Sequence, residues 1–238
     1  LDYSSDTTAC AVKGPLASVS GKSAATGNTS YGYVGGGGQS PGDPVSTVQR
    51  IDYSNDTATA AAKGPLSFAQ KHLGATSSRA NALPTVGSPV TRSATQTVGT
   101  PYGYWAGGNP GPVSTMSRLD YDSDTTTAVT KGPLSAARYA HKGTGNISYG
   151  YFGGKYPANN ICDRFDYSSD TTAATPKGNI GTYGAGRVAV GNNDYGYFCG
   201  GYGPAGNLST VNRVDYSNDT ASAAAKGPLS HVTYQAAA

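Results

Sequence analysis

The sequence predicts an all-β protein, a β-propeller built from four-stranded antiparallel blades, on three observations. The stretch Arg-x-Asp-Tyr-Ser-Asn-Asp-Thr…Lys-Gly-Pro-Leu recurs with its tyrosine at Tyr3, Tyr53, Tyr121, Tyr167 and Tyr216, at steps of 50, 68, 46 and 49 residues. Between its copies stands a second block, Tyr-Gly-Tyr, beginning at Tyr31, Tyr102, Tyr149 and Tyr195. Two motifs alternating with a period near fifty are the mark of a repeat architecture. The composition agrees: all 14 acidic residues are Asp, Glu is absent, and Gly accounts for 34 of 238 residues. Thr, Tyr and Val suit pleated strands, whereas a chain without Glu and with one Met lacks strong helix formers.

One unit, from about Gly186 to Leu229, shows the strands in order. Arg187-Val188-Ala189-Val190 is an apolar run ended by the turn signal Gly191-Asn192-Asn193-Asp194. Tyr195 to Cys199 reads as a second strand, stopped by Gly200-Gly201, and a Gly/Pro loop from Tyr202 to Leu208 follows. Thr210 to Tyr216 alternates as a third strand. Ser217-Asn218-Asp219 makes a turn, since Asn and Asp side chains substitute for backbone turn hydrogen bonds. Thr220 to Ala225 is expected as an Ala-rich fourth strand, ended by Gly227-Pro228. Four-stranded units repeated about a centre are propeller blades, and a β-helix would need coils of about 20 residues. The Gly content does not indicate disorder, because the glycines hold fixed places in the repeat.

The array is expected to run over residues 1–238 as one domain, with units of about 1–50, 51–118, 119–164, 165–213 and a partial 214–238. Five Asp-Tyr elements against four Tyr-Gly-Tyr elements predict four complete blades and a partial one, within a ring that is larger or is completed by a neighbour. From Leu66 to Tyr102 the chain is 36 residues, against 15 from Leu16 to Tyr31. An insertion is therefore expected at about 68–90.

Strand direction sorts the connections onto two faces. The turns between strands one and two and between three and four share a monotonous face of Asn and Asp turns. The second-to-third and fourth-to-first connections share the other, where the units differ and where binding is expected. The insertion is assigned to that variable face. The candidate binding residues are His72, Arg79, Asn109, Lys155, Tyr156, Asn159, Tyr202 and Asn207. Repeated residues are read as scaffold: the Asp-x-x-x-Asp turns as caps rather than Ca²⁺ sites, Arg50, Arg118, Arg164 and Arg213 as structural hydrogen-bond donors, the paired tyrosines as core. The sequons at Asn28, Asn55, Asn146, Asn207 and Asn218 are read as turn chemistry. Cys10, Cys162 and Cys199 are read as small thiols, with a Cys162–Cys199 bridge left open.

The order of glycine doublet, variable loop and Asp-Tyr strand resembles the kelch repeat. Gly35-Gly36, Gly107-Gly108, Gly153-Gly154 and Gly200-Gly201 match its doublet, and Asp52-Tyr53, Asp120-Tyr121, Asp166-Tyr167 and Asp215-Tyr216 match its later Tyr-Asp element in reversed order. The kelch Trp is missing from its place, and Trp105 lies in a second strand. The wording of the Asp-Tyr-Ser-Asn-Asp-Thr…Lys-Gly-Pro-Leu-Ser stretch is also similar to kelch-like repeats in virion structural proteins of marine tailed bacteriophages.

These resemblances imply a structural or interaction protein of a virion or tail fibre, meeting other structural proteins or a host-surface glycan or protein. A virion or extracellular location goes with that, and self-association stays open. The alternative is a carbohydrate-binding propeller lectin of a bacterial surface or secreted protein. No enzyme is expected. Eleven of the 14 aspartates belong to repeated turns, and His72, His141 and His231 have no metal spacing, His141 and His231 reading as surface variation. The galactose-oxidase type of copper site finds no matching set, so no cofactor or metal is expected. A net charge of +3 without a basic run argues against nucleic acid, and no apolar run suits a membrane span.

Overall fold

A computed structural model describes residues 10–38, 42–78, 100–155, 159–181 and 184–234. Four four-stranded antiparallel sheets form the blades of a β-propeller. The first blade holds β1 (Ala24–Gly27), β2 (Tyr31–Gly35), β3 (Val48–Asp52) and β4 (Ala61–Lys63). The second holds β5 (Gly74–Ser77), β6 (Tyr102–Ala106), β7 (Met116–Asp120) and β8 (Val129–Lys131). The third holds β9 (Lys142–Gly145), β10 (Tyr149–Lys155), β11 (Asn159–Asp166) and β12 (Thr175–Pro176). The fourth holds β13 (Val188–Gly191), β14 (Tyr195–Cys199), β17 (Val211–Asp215) and β18 (Ala224–Lys226), with a small hairpin of β15 (Tyr202–Gly203) and β16 (Gly206–Asn207) in its loop.

The register is the same in each blade: Tyr31 faces Asp52, Tyr102 faces Asp120, Tyr149 faces Asp166, and Tyr195 faces Asp215. First strands are innermost, β1 packing on β5, β5 on β9 and β9 on β13. The core lies between blades rather than within them. Tyr33, Trp105 and Leu119 fill the first junction, Tyr104, Phe152 and Phe165 the second, and Tyr151, Phe198 and Val214 the third. The fourth strands lie at the outer rim and are largely exposed.

Turn chemistry follows the expectation. Asp52 caps a 3-10 turn at Tyr53–Asn55 by accepting from Ser54 N, and Asp120, Asp166 and Asp215 do the same for their own turns. Asn28, Asn146 and Asn192 each accept two backbone N–H groups in the hairpin between the first and second strands.

Three expectations on local structure change. The fourth strand of the last blade is Ala224–Lys226, because Thr220 lies in the turn and Ala221 N is already bonded to Asn218 O. The doublet following the second strand is Gly36-Gly37 in the first blade, in register with Gly107-Gly108 and Gly200-Gly201, all with positive φ. In the third blade its second place is taken by Lys155, across a bulge in β10. The third change concerns the insertion. Residues 68–77 follow the regular course of a blade into β5, and Ser78 N donates to Tyr102 O just as Asn28 N donates to Tyr31 O. The extra length therefore lies between Ser78 and Thr100, in place of a hairpin turn between first and second strands. That is the turn face, opposite the variable loops. A length comparison anchored on Leu66 and Tyr102 could not tell which of two connections was longer.

Candidate binding face

The repeated polar residues are consumed at the junctions. Each of the first three blades offers an Arg, a Tyr and a Lys to one Asp of the next. Arg50 Nη1 and Tyr33 Oη donate to Asp124 Oδ2, both at 2.8 Å, and Lys63 Nζ lies 3.0 Å from Oδ1. Arg118, Tyr104 and Lys131 converge on Asp170, and Arg164, Tyr151 and Lys177 on Asp219. Each Arg also lies over the first tyrosine of its own second strand, 4.1 to 4.4 Å from the ring centre. Burial first, and then the facing carboxylates, push the Tyr33, Tyr104 and Tyr151 hydroxyls well above the usual phenol range, so they remain donors. The first Asp of each turn is thus a cap, as expected, while the second is an inter-blade acceptor.

The glycine of Lys-Gly-Pro-Leu belongs to the same junction. A Cβ on Gly64 would stand 1.7 Å from Thr126 O, and one on Gly132 1.9 Å from Thr172 O. Their N–H groups donate to Asp124 O and Asp170 O. Only a residue without a side chain allows that approach.

What the repeat does not consume collects at one end of the inner strands. Six residues after Leu16, Leu66, Leu134 and Ile180 come Lys22, His72, Ala140 and Gly186. All four are left-handed, with φ of 58 to 62. They are joined by backbone bonds around the inner rim: His72 N donates to Lys22 O, Ala140 N to His72 O, and Gly186 N to Ala140 O. Beside this rim, the exits of the second strands pair with the approaches to the first. Gly38 pairs with Gly21, Asn109 with Lys71, and Tyr202 with Ala185.

Of the residues expected to bind, His72 lies on the rim itself, Asn109 and Tyr202 occupy equivalent second-strand exits beside it, and Asn207 stands opposite Tyr202 in the small hairpin. Lys155 ends β10, paired with Asn159, whose backbone lies in β11. Tyr156 and Arg79 lie outside the described residues.

The mouth is basic. Burial, and then the charges of Lys22, Lys71 and Lys142, hold the His72 imidazole below its ordinary value. Burial likewise lowers the Lys142 ammonium. The side chain of Tyr139 stands edge-on to His72, and Tyr202 and Tyr234, 48% and 45% exposed, stand edge-on to each other. Lys22, Lys142 and Tyr139 were not singled out from sequence, whereas Lys71 was noted beside His72 in the expected insertion. Aligning the units on their Pro-Leu elements puts Lys22 and His72 in one column, and that was the available signal.

One buried group near the mouth was misjudged. His141 is buried against Phe152, with neither ring nitrogen hydrogen-bonded, and is not surface variation. Burial first, and then Arg138 and Lys142, depress it to about 3. Arg138 and Asp163, both fully buried, form an ion pair at 2.7 Å closed by Ser135. Cys162 and Cys199 are free thiols.

On the opposite face a cleft of about 350 Å³ lies between the third and fourth blades, lined by turn residues that include Tyr149, Asp194 and Asp215. Among the described residues, no three His, Cys or Asp side chains come together as a metal site, and no helix is long and apolar enough to cross a membrane.

No family model matches the chain, and no curated protein matches it in sequence. Among solved structures the fold is similar to that of YjhT, with a TM-score of 0.65 at 11% identity. The match covers 90% of this chain and 67% of YjhT. At that identity the likeness carries the propeller fold and nothing finer, and the kelch resemblance stays a resemblance of sequence.

Proposed function

We propose that the chain is a non-enzymatic structural and interaction protein whose contact surface is the basic mouth of the variable face. The observation that carries this reading is the division of labour among side chains. Repeated Arg, Lys, Tyr and Asp residues saturate one another between blades, while Lys22, Lys71, His72, Asn109, Lys142 and Tyr202 differ between units and collect on one surface. Variable groups on a rigid scaffold are the usual form of a recognition surface. Its charge suits a partner with an anionic surface. A place in a virion or tail fibre, touching a structural partner or a host surface, rests on the wording of the repeat.

Quantitative mass spectrometry of purified particles tests the location, with a stoichiometric copy number expected. A chain found as a cytoplasmic monomer that turns over a substrate would overturn both location and role. Charge reversal at the mouth, Lys71→Glu with Lys142→Glu, is expected to abolish adsorption of the isolated protein to its host cells while leaving the unfolding transition in place.

The exposed Tyr202 and Tyr234 pair favours a second reading, a carbohydrate-binding lectin, because aromatic faces cover sugar rings. Glycan-array binding lost in Tyr202→Ala would select it over the first.

A further inference from the structure

The mouth carries three basic side chains that no acid neutralises. At the rim, the first and second blades supply Lys22 and His72, while the same places in the third and fourth hold Ala140 and Gly186, a methyl group and no side chain. Two residues further along, the first strands set Ala24, Gly74, Lys142 and Val188 in one row, opposite Gly35, Ala106, Gly153 and Cys199. Lys142 is the charged member of that row. Three successive blades thus give one basic group each, and the small rim residue Ala140 stands two positions before Lys142.

Among the described residues, the side chains of Lys22, His72 and Lys142 have no ion-pair or hydrogen-bond partner. The acids of this side are engaged elsewhere or stand apart. Asp163 is held by Arg138 and Ser135, and the exposed Asp43 is passed over by Lys71, whose Nζ donates to Gly42 O at 3.3 Å. The His141 ring packs against Gly74 and Gly107 within the junction. Burial and then Lys22, Lys71 and Lys142 lower His72, with no carboxylate opposing them, and burial lowers Lys142. A cation partly withdrawn from water without a counter-charge destabilises a fold, and groups kept in that condition mark binding sites. Lys22 is exposed and Lys142 half-buried, so a flat anionic surface meets the first, whereas a group that enters the mouth reaches both.

We propose that the mouth is a site for one tetrahedral oxyanion, the sulfate or phosphate group of an ester, held by Lys22, His72 and Lys142 from three successive blades. Three oxygens of such a group answer the three blades, and the fourth carries the ester link outward. A carboxylate has two oxygens and leaves one blade unanswered. The inference rests on reading the mouth as the contact surface and names the group which that surface recognises.

Calorimetric titration of the full chain with sodium sulfate, against chloride at equal ionic strength, tests the site. Saturable binding at one site per chain is expected, weakened about tenfold in Lys142→Met and in His72→Gln, and unchanged in Lys226→Gln, whose ammonium is exposed on a fourth strand. Lys142→Met is expected to keep or raise the urea midpoint in chloride, because its ammonium has no partner to lose; should it not fold, His72→Gln carries the test. Sulfate is also expected to move the titration of the His72 Cε1–H signal to higher pH, since a neighbouring anion favours the imidazolium. Phenyl sulfate and phenyl phosphate assign the ester by the tighter of the two, and benzoate binding as tightly as either overturns the tetrahedral fit. An absence of saturable binding, or equal weakening in Lys226→Gln and Lys142→Met, overturns the site. Host-cell adsorption lost in the Lys71→Glu and Lys142→Glu double variant, without sulfate binding, removes this site and leaves the contact surface standing. Sulfate binding without adsorption does the reverse.

Discussion

Arg118 of the second blade donates to Asp170 of the third at 2.7 Å, and the other oxygen of that carboxylate takes Lys131 at 3.0 Å. One aspartate thus satisfies two cations of the blade before it, with Tyr104 as a third donor at 3.2 Å. A blade cannot form this cluster alone, so the junction rather than the sheet is the unit of stability.

Asp170→Asn is expected to cost about 2–3 kcal/mol, because it leaves two partly buried cations facing a neutral amide. The value lies below that for a wholly buried pair, since the Arg118 side chain is 23% exposed. Urea unfolding measures it, and a loss under about 0.5 kcal/mol would place the strength of the junction in its stacked tyrosines instead.

Gly132→Ala is a harsher change although it adds one methyl group. Its Cβ would lie 1.9 Å from the backbone oxygen of Thr172, which no side-chain rearrangement can relieve. A loss of about 3 kcal/mol or failure to fold is expected. Ser135→Ala, close by in the chain, keeps the backbone free and should leave a measurable transition for comparison.

The pH dependence should carry the mark of His141. Its folded value lies near 3, below the ordinary value of 6.5, so below pH 6.5 the unfolded chain takes up a proton that the folded chain refuses. Its contribution is whole above pH 6.5 and is lost as pH falls toward 3, with a slope of about 1.4 kcal/mol per pH unit. His141→Leu should flatten that stretch of the stability profile. An unchanged profile would mean that His141 is protonated in the folded protein.

Lys22 holds φ of 62 at the rim and is exposed, a conformation that costs a residue with a Cβ about 1 kcal/mol. Gly186 already fills the corresponding place in the fourth blade. Lys22→Gly should therefore raise stability by about 1 kcal/mol while removing a charge from the mouth. Higher stability with weaker adsorption to an anionic surface would separate the two roles of this residue, and both are read on one variant by urea unfolding and a binding isotherm.

Much of the fold was legible because the repeat writes each element several times. Tyr-Gly-Tyr, Asp-Tyr and Pro-Leu mark second strands, third-strand ends and blade boundaries, and Asn28, Asn146 and Asn192 mark the hairpins. The candidate face was legible in part: His72, Asn109 and Tyr202 do share a mouth. The insertion was placed too early because chain length does not reveal which connection carries it, whereas residues 68–77 run into β5. Lys22 and Lys142 were overlooked because a lone lysine has no signal until its neighbours across blades are known. His141 misled for the same reason: whether a histidine before a first strand faces water depends on Phe152, eleven residues on and in another strand.

By itself the sequence determined the blade and its strand order, since local turn chemistry and alternation act over a few residues. Only the tertiary structure decided what each repeated side chain is for. Asp124, Asp170 and Asp219 look like second caps of their own turns, yet they serve arginines 74, 52 and 55 residues earlier. Carboxylates seek the nearest buried cations in space, and in a propeller those belong to the neighbouring blade. The left-handed rim and the glycine at each of the described junctions were settled in the same way, by backbones of different blades brought within contact distance.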